Sequence, residues 1–388
     1  MTGQTEFLGY HRADGRVGVR NLLLVLSCGG LTGQIARRIA SAISGAVVVT
    51  LPYGAGLIGK DESVQPSALR GLAGHPNVGA TVLVGDNPKL LNTVKSHLET
   101  IGKPHVALSL DDCNHDALTL TDRGLRAGAA LARQISGLRR HPAPVSALCL
   151  GLECGRSDPS SGLIANPLTG LMADRIVDEG GTAMIGETLE WMGAEHLLAE
   201  RARTPAIAEA LQQAVQSREA MAMALGIDLM GNNPGPTNIA SGLSSIEEKA
   251  LGSICKSGSR PVEGVIDYGE PPRGPGLWAM DAAAYSPESL TGFVMAGAQL
   301  LLFTTGVGNS YVSALAPTIK ISANPRSARA LNEQLDFDAS SALCGRADLG
   351  DTGQELFAEM LAIASGQATW GEILGEGDEV VSRFGPAL

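Results

Sequence analysis

The fold of this chain is decided by the stretch Leu150-Gly151-Leu152-Glu153-Cys154-Gly155-Arg156-Ser157-Asp158. An apolar run that begins at Val145 leads directly into it, with no helix-forming run between them. In open α/β sheets, ligands bind beyond the carboxyl ends of the strands, where loop side chains converge. We therefore expect a buried strand here that delivers Glu153, Cys154 and Asp158 to a ligand-binding edge.

The same strand-turn-helix pattern recurs along the chain. Asn21 to Ser27 is an apolar run, Cys28-Gly29-Gly30 is a turn, and Gln34 to Ile43 has apolar residues at helical spacing. Further apolar runs that end in glycine or polar residues are Val47 to Thr50, Ala80 to Gly85, His105 to Leu110, Val145 to Leu152, Thr182 to Ile185, Gly264 to Ile266 and Gln299 to Phe303. Strands that alternate with helices predict parallel pairing. The predicted class is α/β, with mostly parallel sheets of Rossmann-like units in two lobes.

Two proline-rich segments suggest how the chain is divided. His141-Pro142-Ala143-Pro144 predicts a boundary, with an N-terminal α/β domain over residues 1–140 and a C-terminal α/β domain over residues 141–388. The second domain carries the Cys-Gly-x-Ser-Asp motif. Gly231 to Pro236 predicts an extended loop that crosses between the lobes.

Composition excludes several classes of protein. The net charge is -11 and aromatic residues make up only 4% of the 388 residues, which argues against nucleic-acid binding. No signal-peptide pattern or membrane-length apolar run is present, so we expect a cytoplasmic protein without a membrane span. The low charged fraction of 18% favours subunit contacts and hence a homo-oligomer. Six scattered cysteines without a C-x-x-C pair indicate free thiols.

Several segments combine residue types that bind acids or metals. Arg16 and Arg20 precede the first strand, and they either clamp a substrate carboxylate or tie a turn to a neighbouring acid. The run from Asp111 to Asp116 either holds a metal ion or caps the next helix. Glu187 follows a strand, as a catalytic carboxylate would, whereas Glu190 is interpreted as part of a helix cap.

Standard catalytic motifs do not fit. The turn after Cys28 lacks the G-x-G-x-x-G spacing of dinucleotide-binding folds, and no G-x-S-x-G elbow, Walker loop or kinase motif occurs. An acyl-transfer enzyme with a cysteine nucleophile needs a histidine base, and none flanks Cys28 or Cys154 in sequence. The remaining residue types suit the binding of a small acid and metal-assisted proton transfer.

The chain resembles the altronate/galactarate dehydratase family, including its sulfolactate sulfo-lyase large-subunit branch. The segments that carry the resemblance keep their order along nearly the whole chain: Tyr10 to Asn21, Gly151 to Gly155 with Ser157-Asp158 and Ala165-Asn166-Pro167, Gly186-Glu187-Thr188 with Gly193 to His196, Gly231 to Pro234, Gly242 to Lys249, and Gly297 to Gly306.

This resemblance implies a metal-dependent lyase. Such an enzyme eliminates water, or sulfite in the sulfo-lyase branch, from a small 2-hydroxy acid such as a sugar acid, and the resulting enol becomes a 2-oxo acid. Iron(II) is the expected ion and manganese(II) the alternative. The resemblance also implies a small β-rich partner subunit, because many relatives carry such a domain or a separate small subunit.

The residue patterns and the resemblance together suggest roles for individual residues, although Arg156 stands where the family pattern has glycine. The expected metal-side residues are Cys28, Cys154, Asp86 and Asp112. The expected acid/base residues are Glu187, Asp158 and Lys249. The expected substrate-binding residues are Arg16, Arg20, Arg156, Ser157, Asn166, Asn233 and Asp281.

The chain departs from the family pattern where a His-Gly-x-Gly-Cys-Gly stretch and a Gly-Cys-Glu stretch are expected. It has Tyr53 to Gly59 and Gly85-Asp86-Asn87 there, so a histidine and two thiols are absent. A non-catalytic subunit that binds small acids, or has a structural role, is therefore the alternative hypothesis.

Overall fold

The computed structural model describes residues 6–230, 233–381 and 383–384. It contains two parallel sheets, of four and seven strands. Within these residues the strands are β1 (Glu6–His11), β2 (Val17–Gly18), β3 (Leu22–Ser27), β4 (Ala46–Thr50), β5 (Val78–Gly85), β6 (His105–Ser109), β7 (His141–Pro144), β8 (Cys149–Cys154), β9 (Thr182–Ile185), β10 (Val262–Asp267), β11 (Gly276–Asp281), β12 (Leu300–Thr304), β13 (Val312–Ser313), β14 (Thr318–Ser322), β15 (Phe337–Asp338) and β16 (Gly377–Asp378).

The α-helices of the same residues lie mostly between these strands. They are α1 (Gly33–Ser41), α2 (Lys60–Ala73), α3 (Pro88–Thr100), α4 (Ala117–Ile135), α5 (Asn166–Asp178), α6 (Glu195–Ala199), α7 (Pro205–Leu225), α8 (Pro236–Ala240), α9 (Ile246–Ile254), α10 (Ser286–Met295), α11 (Pro325–Ala330), α12 (Ser340–Leu343), α13 (Leu349–Ala364) and α14 (Trp370–Leu374). None of the described helices is both long and apolar enough to cross a bilayer. Two residues of the predicted crossing loop, Gly231 and Asn232, lie outside the described residues.

The four-stranded sheet has the order β4-β3-β5-β6, and all its pairs are parallel. Its central strands are almost continuously apolar because helices cover both faces. On one face, Ile35 and Ile39 of α1 pack with Val82 of β5. On the other face, Leu69 of α2 packs with Leu24 of β3.

The seven-stranded sheet has the order β10-β11-β9-β8-β12-β14-β15 and is also parallel throughout. The predicted α/β class with mostly parallel sheets is therefore confirmed. The chain continues from β8 to β9 on one side, and β12 later pairs with β8 on the other. Ligands of open α/β sheets bind at such a change of direction.

The strand at the decisive segment begins later than the sequence predicts. Val145 to Ala147 form a 3₁₀ turn, and β8 starts at Cys149 and includes Glu153 and Cys154 as its last two residues. An apolar run gives the type of an element more reliably than its ends. The shift places Glu153 and Cys154 in the sheet itself rather than in the loop after it.

The proline-rich segment at the predicted boundary is a strand. His141–Pro144 pairs antiparallel with β1, which also pairs with β2, so β7 is an edge strand of a three-stranded sheet. Edge strands tolerate proline because they do not need every backbone N–H for pairing. The division into domains at residue 140 stays a prediction.

One apolar core joins the two parallel sheets. Leu69 and Leu72 of α2 belong to the same buried cluster as Phe293 of α10. The two helices approach closely at Gly71, where a Cβ atom would lie 2.2 Å from the carbonyl oxygen of Met295. Only glycine fits this approach without a shift of the backbone.

Candidate active site

Three neighbouring strands bring their carboxyl ends to one edge of the seven-stranded sheet. Cys154, the last residue of β8, pairs in register with Thr304, the last residue of β12. Leu152 pairs with Ile185, the last residue of β9, and Glu187 follows two residues later. This register places Cys154 and Glu187 at the same edge, as the sequence predicts.

Four buried side chains form a group that we call the acidic cluster: Glu153, Cys154, Glu187 and Glu190. One oxygen or sulfur atom from each lies within 4.8 Å of those of the other three. Within the described residues, this is the one such group of acidic, cysteine or histidine side chains with metal-binding spacing. Carboxylates together with a cysteine sulfur suit divalent transition-metal ions. Burial raises the pKa of the Cys154 thiol, so binding of an ion by its sulfur would release the thiol proton.

A short 3₁₀ turn, Thr188–Trp191, carries Glu190 back to the cluster. Glu187 precedes this turn in the left-handed conformation, with φ of 56°. Thr188 Oγ1 donates a hydrogen bond of 2.8 Å to Asp281, which also accepts one of 2.7 Å from Arg218. The carboxylate of Asp281 thus holds this turn in place, and its expected contact with substrate stays a prediction.

Two lysines balance the charge of the cluster. Lys256 Nζ lies 2.5 Å from Glu153 Oε1, and Lys249 Nζ lies 2.5 Å from Glu190 Oε1. Glu190 Oε2 also accepts hydrogen bonds from Ser253 Oγ at 2.9 Å and from Cys154 Sγ at 3.3 Å. Buried charges require such partners because water is excluded.

The carboxylates of Glu187 and Glu190 differ in protonation although they lie close together. Burial raises the pKa of Glu187 well above its usual value, and the charges of Glu190 and Glu153 add to this effect. Burial alone would also raise the pKa of Glu190, but the ammonium groups of Lys249 and Lys256 lower it overall. Glu187 Oε2 has no hydrogen-bond partner among the described residues. Glu190 is thus held as an anion, while Glu187 retains a proton more readily.

Two cavities border the cluster. The larger, of about 700 Å³, is lined by Glu187 and Glu190 together with Arg156. The smaller, of about 330 Å³, is lined by Cys154. Lys249 lines both. A small molecule in the larger cavity would therefore touch two carboxylates of the cluster directly.

Arg156 extends into the larger cavity from the loop after β8. Its side chain is exposed and makes no hydrogen bond or ion pair with any residue the structure describes. Its backbone φ angle is 55°, a value that residues other than glycine rarely adopt. An unpaired guanidinium in a strained position fits the predicted binding of a substrate anion.

Asp158 and Asn166 are held by the chain itself. Asp158 accepts hydrogen bonds from Ser160 Oγ at 2.6 Å and from Asn324 Nδ2 at 2.7 Å. Asn166 donates to the carbonyl of Gly252 at 2.8 Å and accepts from Thr304 at 2.5 Å. Both side chains line the smaller cavity, so the structure favours a role in fixing its wall.

Ser157 and Asn233 each line one of the two cavities with a polar side chain. Ser157 Oγ is buried in the wall of the smaller cavity and has no partner among the described residues. Asn233 lines the larger cavity, accepts a hydrogen bond from Lys249 and donates one of 3.3 Å to the carbonyl of Leu189.

The other predicted metal residues do not join the cluster. Cys28 is buried in the core with Leu26 and Val49, and burial, with the nearby charge of Asp86, raises the pKa of its thiol to about 12. Asp112 is exposed on a 3₁₀ turn before α4. Of the four predicted metal residues, only Cys154 lies in the acidic cluster, because Cys28, Asp86 and Asp112 follow strands of the four-stranded sheet. Metal binding by Cys154 stays a prediction.

The two N-terminal arginines are also occupied elsewhere. Arg16 pairs with Asp14 at 2.6 Å, and Arg20 pairs with Glu372 at 2.6 Å. Arg20 also donates hydrogen bonds to three backbone carbonyls, of Val19, Ile363 and Gln367. Of the two alternatives, the structure shows arginines tied to acids of this chain, and neither lines a cavity next to the cluster.

Sequence reasoning missed Glu190 and Lys256. Glu190 was interpreted as a cap, although its spacing of three residues from Glu187 puts both on one side of a single turn. Lys256 lies in a mostly small and apolar segment, Ser253 to Ser257, where a lone lysine was the available signal. Only the fold shows that the two residues meet Glu153 and Cys154.

Comparison with known families covers most of the chain. Residues 145–387 match the family described as D-galactarate/altronate dehydratase, C-terminal. Residues 9–127 match the family described as D-galactarate dehydratase/altronate hydrolase, second domain. The acidic cluster lies entirely in the first of these matches.

Individual relatives agree with these matches. The chain is 36% identical to the (2R)-sulfolactate sulfo-lyase subunit beta of Chromohalobacter salexigens, over 99% of this chain and 98% of the relative. It is 32% identical to altronate dehydratase of Escherichia coli, over 94% of this chain and 74% of that protein. Galactarate dehydratase (L-threo-forming) of Escherichia coli is 29% identical, over 93% and 73% of the two chains.

Proposed function

The chain belongs to the D-galactarate/altronate dehydratase family and is a carbon–oxygen or carbon–sulfur lyase, and from this premise we propose a metal-assisted elimination on a small 2-hydroxy acid. The observation that carries the proposal is the acidic cluster at the wall of a cavity of about 700 Å³ that also contains the unpaired Arg156. The cluster supplies metal ligands and a proton acceptor, and the arginine supplies an anion site.

The residues present fit a divalent ion. Glu153, Cys154 and Glu190 are proposed to hold it, since their donor atoms are buried and close together. Iron(II) is the proposed ion and manganese(II) the alternative, because both accept carboxylate ligands. When bound, such an ion polarises a carboxylate and a 2-hydroxyl group and so increases the acidity of the adjacent C–H bond.

Arg156 is proposed to orient the substrate. Its guanidinium can form two parallel hydrogen bonds to a carboxylate or sulfonate, which fixes both distance and direction. The larger cavity has room for a small acid between Arg156 and Glu187. Such an arrangement directs the reacting carbon atoms toward the cluster.

Glu187 is proposed to move the proton, because its unpartnered Oε2 is buried at the cavity wall. The raised pKa of Glu187 makes its deprotonated form a stronger base. In the elimination, Oε2 of this carboxylate form takes the proton from C2, and the C–H electron pair forms the double bond to C3. The leaving group departs from C3 with the electrons of its bond. Glu187 can return the proton to a departing hydroxide, whereas sulfite needs none, and the enol becomes the 2-oxo acid.

Lys249 and Asn233 are proposed to stabilise negative charge. Lys249 Nζ contacts both Glu190 and Asn233, and both lysine and asparagine line the larger cavity. A fixed ammonium group close to the substrate carboxylate stabilises the charge that develops as C2 loses its proton.

We also propose a multi-subunit cytoplasmic assembly. One relative is named as a subunit beta, and the E. coli altronate dehydratase has about a quarter of its length outside the match. A small partner is proposed on this basis, and the family resemblance is the ground for proposing that it is β-rich. A homo-oligomer is proposed because α7 ends in exposed apolar side chains, among them Met221, Met223 and Leu225.

The test is a substrate screen with protein purified without oxygen. Small 2-hydroxy acids, including sugar acids and sulfolactate, are incubated with the full chain after removal of metal and after addition of iron(II) or manganese(II). Formation of a 2-oxo acid is followed by its reaction with a carbonyl reagent. Metal-dependent turnover of at least one acid is expected.

Two results would contradict the proposal. If acids bind without turnover, whether or not the ion is added, the chain is the non-catalytic acid-binding subunit of the alternative hypothesis. If turnover is equal with and without metal, the metal-assisted route fails while the lyase assignment stands. A co-expressed small partner is included as a separate arm.

A further inference from the structure

Lys256 occupies the interior of the acidic cluster. It lies in the 3₁₀ turn Cys255–Ser257, which follows α9, and its side chain is fully buried. Its Nζ lies 2.5 Å from Glu153 Oε1, 3.4 Å from Cys154 Sγ and 3.6 Å from Glu190 Oε2. These three side chains are the ones proposed to hold the divalent ion.

A further contact completes the surroundings of this ammonium group. Ser253 Oγ lies 2.9 Å from Lys256 Nζ, so four acceptors surround a group that has three N–H donors. The second oxygen of Glu153 accepts a hydrogen bond of 2.6 Å from Ser289. Both carboxylate oxygens of Glu153 therefore have partners before any ion binds.

The buried charge explains why a cation is needed here. Carboxylates without water are strongly destabilised unless a positive group lies beside them. Lys256 is the one lysine or arginine among the described residues that pairs with both Glu153 and Glu190. The structure thus has an internal cation at the place where an added ion would have to bind.

We propose that Lys256 is an internal counter-cation that competes with the divalent ion for Glu153, Cys154 and Glu190, and so weakens metal binding. This inference rests on the proposed function. Two positive charges at such short range in a buried site repel strongly, and each oxygen lone pair used by the ammonium is lost to the ion. The same residue keeps the cluster neutral enough to remain folded when no ion is bound.

Replacement of Lys256 should reverse both effects. In Lys256→Met the methylene chain remains but the ammonium is lost, so the ion becomes the main counter-charge of the cluster. Metal should then bind more tightly, and the folded state should depend on it. Lys256→Arg keeps the charge and should not tighten binding.

The experiment measures metal affinity and thermal stability of the full chain after removal of metal. Manganese(II) is the probe, titrated calorimetrically into wild type, Lys256→Met and Lys256→Arg. The expected result is at least about tenfold tighter binding by Lys256→Met, because a tenfold change is the smallest effect expected from removing a buried competing charge. Its melting temperature without manganese(II) should fall below that of wild type and recover when the ion is added.

Lys103→Met is the matched control. Lys103 is also buried, but its Nζ donates to the carbonyls of His75 and Val78, at 2.5 and 2.6 Å, away from the cluster. This variant should lose stability without recovery in manganese(II). The control distinguishes the general effect of losing a buried lysine on stability from the specific effect of losing the counter-cation.

The results distinguish a failure of the Lys256 inference from a failure of the proposed function. Equal manganese(II) affinity of wild type and Lys256→Met would overturn the inference, even if wild type binds the ion and the proposed function stands. Absence of binding by both proteins would overturn the inference and also the metal part of the proposed function. If Lys256→Met does not fold without the ion, Lys256→Gln, which can still donate a hydrogen bond to Glu153, is measured in its place.

Discussion

Lys249 Nζ lies 2.5 Å from Glu190 Oε1, and the side chain of Lys249 lines both cavities. The side chain of Lys249 therefore lies between the two cavities, whereas Glu190 lines only the larger one. Both groups are mostly buried, so the loss of either partner would leave the other charge poorly solvated. The proposed catalytic role of Lys249 therefore involves the same contact that stabilises the buried Glu190.

Lys249→Met should destabilise the protein by about 3–5 kcal/mol, the usual result when a buried ion pair loses one partner. Urea unfolding followed by circular dichroism measures this change. Lys95→Met is the control, because Lys95 pairs with Glu99 at 3.7 Å on the surface and should lose less than about 1 kcal/mol. Equal losses for the two variants would contradict the role of the buried pair.

Glu187→Gln should lower kcat by about 10²- to 10⁴-fold, the range typical of a missing general base. The amide keeps the shape of the side chain and removes the ability of Oε2 to accept a proton. Glu209→Gln, on the exposed side of α7, should leave kcat unchanged. A Glu187→Gln enzyme with normal kcat would remove Glu187 from the mechanism.

Arg156→Gly should raise KM for the acid substrate by about tenfold or more, since the anion loses a bidentate partner. At the same time the stability should stay equal or rise by about 1 kcal/mol, because glycine adopts a φ of 55° without strain. Arg156→Lys keeps the positive charge but loses the paired N–H donors of the guanidinium. This variant therefore distinguishes the effect of charge on KM from the effect of bidentate hydrogen bonding. A variant with lower stability and unchanged KM would show a structural role only.

Cys154→Ser should reduce the metal content of protein loaded with iron(II) or manganese(II), whereas Cys28→Ser should not. Both thiols are buried, but Cys154 belongs to the acidic cluster and Cys28 does not. Elemental analysis after gel filtration gives the stoichiometry. If Cys28→Ser loses as much metal as Cys154→Ser, the ligand assignment made from the cluster is wrong.

Glu379 should make stability depend on pH between about pH 4.5 and pH 7. Its carboxyl group is buried beside Ser313 and Thr291, at 2.5 and 2.8 Å, and burial raises its pKa to about 7 despite these hydrogen bonds. Because the pKa is raised in the folded state, the stabilisation is complete below the unfolded-state pKa. It is lost as the pH rises to about 7.

This contribution corresponds to about 3 kcal/mol for a shift of this size. The measurement compares wild type with Glu379→Gln in urea unfolding between about pH 4 and pH 8, a range that spans the ordinary pKa of 4.5 and the raised pKa of about 7. The stability of wild type relative to the variant should fall across this range. Parallel pH curves would show that Glu379 does not titrate there.

The sequence predicts the parallel sheets of this protein well, because apolar runs that end in glycine or polar residues indicate parallel strands. The strand ends at Cys154 and Glu187 are predicted to meet, and they do. The ends of parallel neighbours always share an edge of the sheet, so this inference needs only the order of the elements.

The partners of these residues could not be predicted, because they come from segments distant in the chain. Lys256 reaches Glu153 from the turn after α9, and Glu190 reaches Cys154 by a turn that resembles a helix cap in sequence. Cys28 was expected beside Cys154 because each stands at the end of an apolar run and is followed by glycine. Cys154 ends a strand of the seven-stranded sheet, whereas Cys28 follows a strand of the four-stranded sheet, and the local sequence pattern does not distinguish the two sheets.

The core shared by α2 and α10 has a consequence for attempts to divide the protein. A cut in the chain near residue 140 would leave Leu69 on one fragment and Phe293 on the other, each with an apolar face exposed to water. Such fragments would be poorly soluble alone and would recombine when mixed. The two halves are therefore expected to melt together, as one cooperative unit.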